Sequence, residues 1–162
     1  IESLIFAFAA GGLVFALYNA IFHKVDRNIL ADHHSYRHRF HYVIWWLVPV
    51  MIILLFFGTN LNPIYDFIIA GIIGGLLSSY CRPDLMKKMF VSSGLFFVLY
   101  YFYFLVLIIA YPGYVGQVWN LENLSGVLIT GVPLEELLFA LTLGFYWSSV
   151  YEHFTWRRLK NI

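Results

Sequence analysis

The chain has 162 residues, 61% of them hydrophobic, 20% aromatic and only 12% charged. Soluble domains carry about 25% charged residues, so the composition excludes an ordinary water-soluble domain and predicts an all-α, polytopic helical membrane protein. The net charge of +1 decides little by its size, and the placement of the charges decides more.

Five apolar runs come near the roughly 20 residues a helix needs to cross hydrocarbon. They are residues 3–22, 42–58, 63–80, 89–111 and 133–151. The chain begins inside the first pattern, with no basic segment or cleavage site of a signal peptide. In the third, Gly71, Gly74, Gly75, Ser78 and Ser79 predict close helix packing. In the fourth, "FFVLYYFYF" (residues 96–104) places rings deep in the span, either as core packing or as the wall of a π-lined cavity. Trp45, Trp46, Trp119, Trp147 and Trp156 partly fit an interfacial aromatic belt. Between the last two runs, "PGYVGQVWNLENLSGVLITG" (residues 112–131) reads as an interfacial or re-entrant segment between Gly-bounded turns.

All ten Lys and Arg fall in three places: Lys24, Arg27, Arg37 and Arg39; Arg82, Lys87 and Lys88; and Arg157, Arg158 and Lys160. The alternate loops hold none. With five spans this obeys the positive-inside rule throughout, so the basic loops are predicted to be cytoplasmic. Residues 1–3, 59–62 and 112–133 then lie on the outer side, most simply of a bacterial inner membrane. The single cysteine, Cys81, cannot close an internal disulfide.

The chain opens "IESLIFAF", which aligns without gaps on "LEELLFAL" at Leu134. Glu2 meets Glu135, Phe6 meets Phe139, Gly11 meets Gly144, Tyr18 meets Tyr151 and Lys24 meets Arg157. Both runs point the same way, which implies a parallel internal repeat. Residues 1–24 are then the last helix of a truncated first repeat. Residues 25–62 are a cytoplasmic loop and linker helix, and residues 63–162 a three-helix second repeat. On this reading two more helices, roughly 70 residues, precede Ile1.

Glu135 and Glu136 follow Pro133 at the head of the fifth run. Proline suits the first turn of a helix, and the helix dipole favours acids there, so a cap explains the pair. Ionisable groups in a membrane helix also mark functional sites, and two carboxyls in unlike surroundings can divide acid and base roles. Both readings stand on sequence alone. "GVPLEELLF", "RPDL" at residues 82–85 and the aromatic-rich spans resemble the lycopene cyclase domain family, the membrane-integral carotenoid cyclases marked by Pro-x-Glu-Glu. The resemblance implies a redox-neutral isomerase, a lycopene β-cyclase. An acid protonates the terminal double bond of a carotenoid or related isoprenoid, the ring closes through a carbocation, and a base removes a proton. Carried over, Glu135 and Glu136 are the acid–base pair. Glu2 is their counterpart in the first copy, where Ser3 stands in place of the second acid. Pro133, Tyr100, Tyr103, Tyr146 and Trp147 are substrate-binding candidates, the aromatic ones through cation–π contact.

No dinucleotide fingerprint is present, so no cofactor is identifiable, and no nucleic-acid partner is expected. "DHHSYRHRFH" (residues 32–41) offers His33, His34, His38 and His41 as metal ligands. Arg37 and Arg39 among them favour a basic segment against anionic headgroups. Two alternatives therefore accompany the cyclase: a non-catalytic lipid- or pigment-binding subunit associated with other membrane subunits, and a His-box metal-dependent oxygenase.

Overall fold

The computed structural model describes residues 2–22, 24–28, 41–155 and 157–161. It is a bundle of five long helices: α1 (Glu2–Ile21), α2 (His41–Gly58), α3 (Pro63–Cys81), α4 (Met86–Ala110) and, after the one-turn α5 (Tyr114–Val118), α6 (Leu134–Thr155). The all-α expectation holds, and the five long helices coincide with the five apolar runs to within a few residues. Two helical stretches, Pro63–Cys81 and Pro83–Ala110, are long and apolar enough to cross a membrane by length and composition. That is fewer than the five spans expected. The described apolar parts of α1 and α2, Phe8–Ile21 and Trp46–Gly58, are shorter. In α6 the buried Glu135, Glu136, Ser148, Ser149, Glu152 and His153 dilute the apolar run.

Local chemistry sets the helix ends. Asn62 caps α3 by accepting from the Ile64 N–H at 3.1 Å, and Pro63 takes the first helical position, where its missing N–H costs nothing. Pro83 ends the helix, since the residue before a proline avoids helical backbone. Arg82 then folds onto Asp84 through two contacts, Nε to Oδ1 at 2.9 Å and Nη2 to Oδ2 at 2.8 Å.

The side-chain links fix the helix directions. Tyr65 reaches Glu135 at one end, and Arg82 reaches the Glu152 carbonyl at the other, so α3 and α6 run parallel. Tyr100 meets Glu136 while Lys88 meets Glu152, so α4 runs opposite to α6. Small residues bring the backbones close. A side chain at Gly144 would lie 2.8 Å from the Ser93 Cα, and Gly74 and Gly75 face the Tyr146 and Phe145 rings directly. The packing role read for the glycines of α3 is therefore observed. Two apolar clusters fill the bundle. One gathers Val14, Phe96, Tyr100, Phe104 and Leu137, and the other gathers Val48, Ala70 and Tyr146.

The sequence does not suggest strands, but the described residues include four short ones. β1 (Lys24–Asn28) pairs antiparallel with β4 (Arg157–Asn161), joining the ends of α1 and α6. β2 (Leu128–Ile129) pairs with β3 (Val132–Pro133) in a hairpin just before α6. Its turn residues Thr130 and Gly131 have φ of 51° and 88°, as tight hairpin turns require. Threonine is uncommon in that region, and the Tyr101 hydroxyl holds its Oγ1 at 2.6 Å. Pro133 is thus a strand residue opposite Leu128 rather than part of the helix's first turn. Its lost N–H is tolerated at the edge of so short a ladder.

Candidate functional site

The hairpin delivers Glu135 and Glu136 into the first turn of α6, and both are buried. Their side chains diverge as adjacent helical positions must. Glu135 turns to α3, where its Oε1 accepts from the Tyr65 hydroxyl at 2.7 Å and from the Ser125 N–H at 2.7 Å. Its Oε2 is buried and has no hydrogen-bond partner among the described residues. Glu136 turns to α4, where Oε2 accepts from the Tyr100 hydroxyl at 2.7 Å and Oε1 from the Trp119 indole N–H at 2.8 Å. Three of the four oxygens are occupied, by two phenols, an indole and one backbone amide.

An aromatic wall lines the Glu136 side. The Tyr100 and Phe104 rings lie 5.2 Å apart, Phe104 and Trp119 5.5 Å, and Tyr100 and Phe139 6.4 Å. Negative ring faces beside a carboxylate favour a positive guest. The segment read as interfacial or re-entrant supplies both Trp119 and Ser125, so it closes over the carboxyl pair.

The structure brings only some of the predicted site residues together. Glu135, Glu136 and Tyr100 meet, and buried Pro133 sits just before them. Tyr103 contacts the wall through Phe104 at 5.9 Å but is largely exposed. Tyr146 and Trp147 lie about 15 Å further along α6 by the helical rise, too distant to stabilise a charge formed at the glutamates. Tyr146 packs with Val48 and Ala70, and Trp147 packs on Gly11. The Glu2 side chain lies outside the described residues, as do His33, His34 and His38 entirely and the His41 side chain.

Sequence reasoning missed Tyr65, Trp119, Ser125 and Asp66. Asp66 is in the first turn of α3, next to Tyr65, and is 1% exposed. Neither of its oxygens has a hydrogen-bond partner among the described residues. Burying a polar group unpaired costs about 1–3 kcal/mol, against up to about 1 kcal/mol returned by the helix dipole. Asp66→Ala is therefore expected to raise unfolding free energy by about 1 kcal/mol. Denaturant titration in mild detergent checks it, and a loss of stability would show that Asp66 has a favourable partner.

The arrangement defines a helical bundle protein with a buried, aromatic-walled carboxyl pair. The lycopene cyclase family model matches residues 62–154, from the cap of α3 to the last turn of α6. The chain belongs to the lycopene cyclase family. No curated protein and no solved structure gives a significant match.

Proposed function

We propose that the chain is an integral membrane cyclase that closes the end group of lycopene or a related isoprenoid by acid–base chemistry, with no change of redox state. All five long helices cross the bilayer in this reading. The basic ends of α1, α3 and α6 are cytoplasmic, and the glutamates stand at the outer side. The parallel course of α3 and α6, with α4 opposite, supports that topology; Gly11 meets Trp147 and Phe15 meets Tyr151, so α1 runs parallel to α6, which supports the internal repeat.

The observation that carries the reading is the buried glutamate pair, with one bare oxygen, beside an aromatic wall. An acid O–H bond breaks and a C–H bond forms at the terminal double bond. The cation is attacked by the next suitably placed double bond, which closes the ring. A neighbouring C–H then breaks, its electron pair becomes the ring double bond, and its proton returns to a carboxylate. The wall of Tyr100, Phe104 and Trp119 faces the positive charge.

Expression of the full-length protein in lycopene-accumulating cells, with pigment analysis, tests this. Cyclised carotenoid is expected. Lycopene that stays acyclic sinks the cyclase reading, and lycopene that co-purifies unchanged assigns a pigment-binding role instead.

A further inference from the structure

Cyclisation needs a substrate carbon in contact with a carboxyl oxygen, yet the glutamates are covered. Glu135 and Glu136 are 2% and 9% exposed, and the bare Oε2 of Glu135 is itself buried. Three elements form the cover: α3 through Tyr65, α4 through Tyr100, and residues 114–125 through Trp119 and Ser125. The two helices are close-packed on α6. A side chain at Gly75 would strike the Phe145 ring, and one at Gly144 would strike the Ser93 backbone. Withdrawing either helix would open voids along its whole length.

Residues 114–125 are held differently. Only Val115 among them is buried. Their regular structure is one turn of α5 and a single 3-10 turn at Leu121–Asn123. A glycine in left-handed backbone stands at each end, Gly113 with φ 84° and Gly126 with φ 75°. Few buried contacts and permissive backbone at both ends mark a segment that opens locally. The chain on either side is fixed. Helix α4 ends just before Gly113. The hairpin after Gly126 is tied to α6 by the Leu134 N–H, which donates to the Val127 carbonyl at 2.9 Å, and to α4 by Tyr101 on Thr130.

We propose that residues 114–125 form a flap that swings about Gly113 and Gly126 to admit the end group of an acyclic polyene from the lipid. It then closes with Trp119 on Glu136 and Ser125 on Glu135. The guest rests on the cyclase reading, whereas the movement rests on the geometry alone. The outer side of the flap mixes exposed Tyr114 and Val118 with Gln117, Asn120 and Glu122, which suits a segment at the boundary of lipid and water. A polyene partitions into lipid rather than water, so the opening leads there. Closure expels the water that would otherwise trap a carbocation. Because both donors ride on one segment, loosening either one frees both carboxyls.

Carbodiimide labelling tests the flap without turnover. The O–H of a carboxylic acid adds across a C=N bond of the reagent, and the carboxyl is left as an O-acylisourea. The rate at Glu135 therefore reports how often that side chain is reached. The full-length protein in phosphatidylcholine nanodiscs is treated with lipid-soluble dicyclohexylcarbodiimide, and fragment masses assign the label to Glu135 or Glu136. Hydrogen exchange of residues 114–125 is followed in parallel. Trp119→Phe keeps a ring in the wall and removes the N–H bond to Glu136 alone. It is expected to label Glu135 about ten-fold faster, the shift in open population that loss of a hydrogen bond to a charged group produces, with faster exchange across residues 114–125. Gln117→Ala, on the outer side, is expected to behave as wild type. Unchanged labelling and exchange in Trp119→Phe overturns the flap. So does a rise confined to Glu136, which would be a local effect on one carboxyl. Faster labelling by a water-soluble carbodiimide than by the lipid-soluble one overturns entry from the lipid. Pigment analysis keeps the two readings apart. A flap that opens in a protein that never cyclises lycopene removes the cyclase, and cyclisation beneath a segment that never opens removes the flap.

Discussion

Replacing Lys88 with alanine is expected to cost about 3–5 kcal/mol of folding stability. Its ammonium pairs with Glu152 where the two side chains are 2% and 0% exposed, and it also lies 5.0 Å over the Phe15 ring. Removing one member of so buried a pair leaves the other charge desolvated, and that residual charge is the larger part of the cost. The pair joins α4 to α6, while Arg82 joins α3 to α6 at the same residue, through the Glu152 carbonyl at 3.2 Å. Lys88→Ala should therefore loosen the whole basic end. Lys88→Met combined with Glu152→Met should recover most of the loss, because neither charge is then buried. Chemical denaturation in mild detergent measures both. A loss below about 1 kcal/mol for Lys88→Ala would mean that the pair is effectively solvated.

Lys88 also illustrates what could be read from the sequence. The five helices were legible because each is a long apolar run closed by a recognisable end, such as Asn62-Pro63 or the Arg82-Pro83 stop. The clustering of cations at one end was equally legible. The sequence, however, places Lys88 in a basic loop, with nothing in its charge to mark it as buried. Its burial follows from continuing the spacing of Ser92, Phe96, Tyr100 and Phe104 backwards by one turn. The glutamates were visible as an anomaly in composition. Their donors were not, since Tyr65 looked like any interfacial tyrosine. Trp119 and Ser125 lie in a segment without periodicity, where only the tertiary fold decides who meets whom. Tyr146 and Trp147 stand apart from the glutamates for a simpler reason. Sharing α6 with the glutamates puts them on one helix, while the helical rise carries them two to three turns away.

Glu135→Gln is expected to reduce cyclisation by about 10²–10⁴-fold, the range for a positioned proton-transfer group, while the protein still folds. The argument is geometric. Glutamine can keep its carbonyl at the Oε1 position, where Tyr65 and Ser125 donate. Its amide nitrogen then occupies the Oε2 position, where no donor is displaced. Stability is retained and the one oxygen open to a proton is gone. Glu136 differs because both of its oxygens already accept, and indole can only donate. In Glu136→Gln the carbonyl must face Trp119 and the amide must face Tyr100, whose hydroxyl can turn to accept. The hydrogen bonds survive but the charge beside the aromatic wall does not, so the expected loss is about 10²–10³-fold, typical of a removed electrostatic contact. The two variants should also differ in what restores them. Glu135→Asp keeps a carboxyl that can carry a proton and should regain part of the activity. Tyr100→Phe in wild type should mimic Glu136→Gln only weakly, because it removes one donor and leaves the charge. Pigment yields per cell at matched protein levels decide the matter. Activity above about a tenth of wild type in Glu135→Gln would take the proton away from Oε2, and with it the division of roles between the two glutamates.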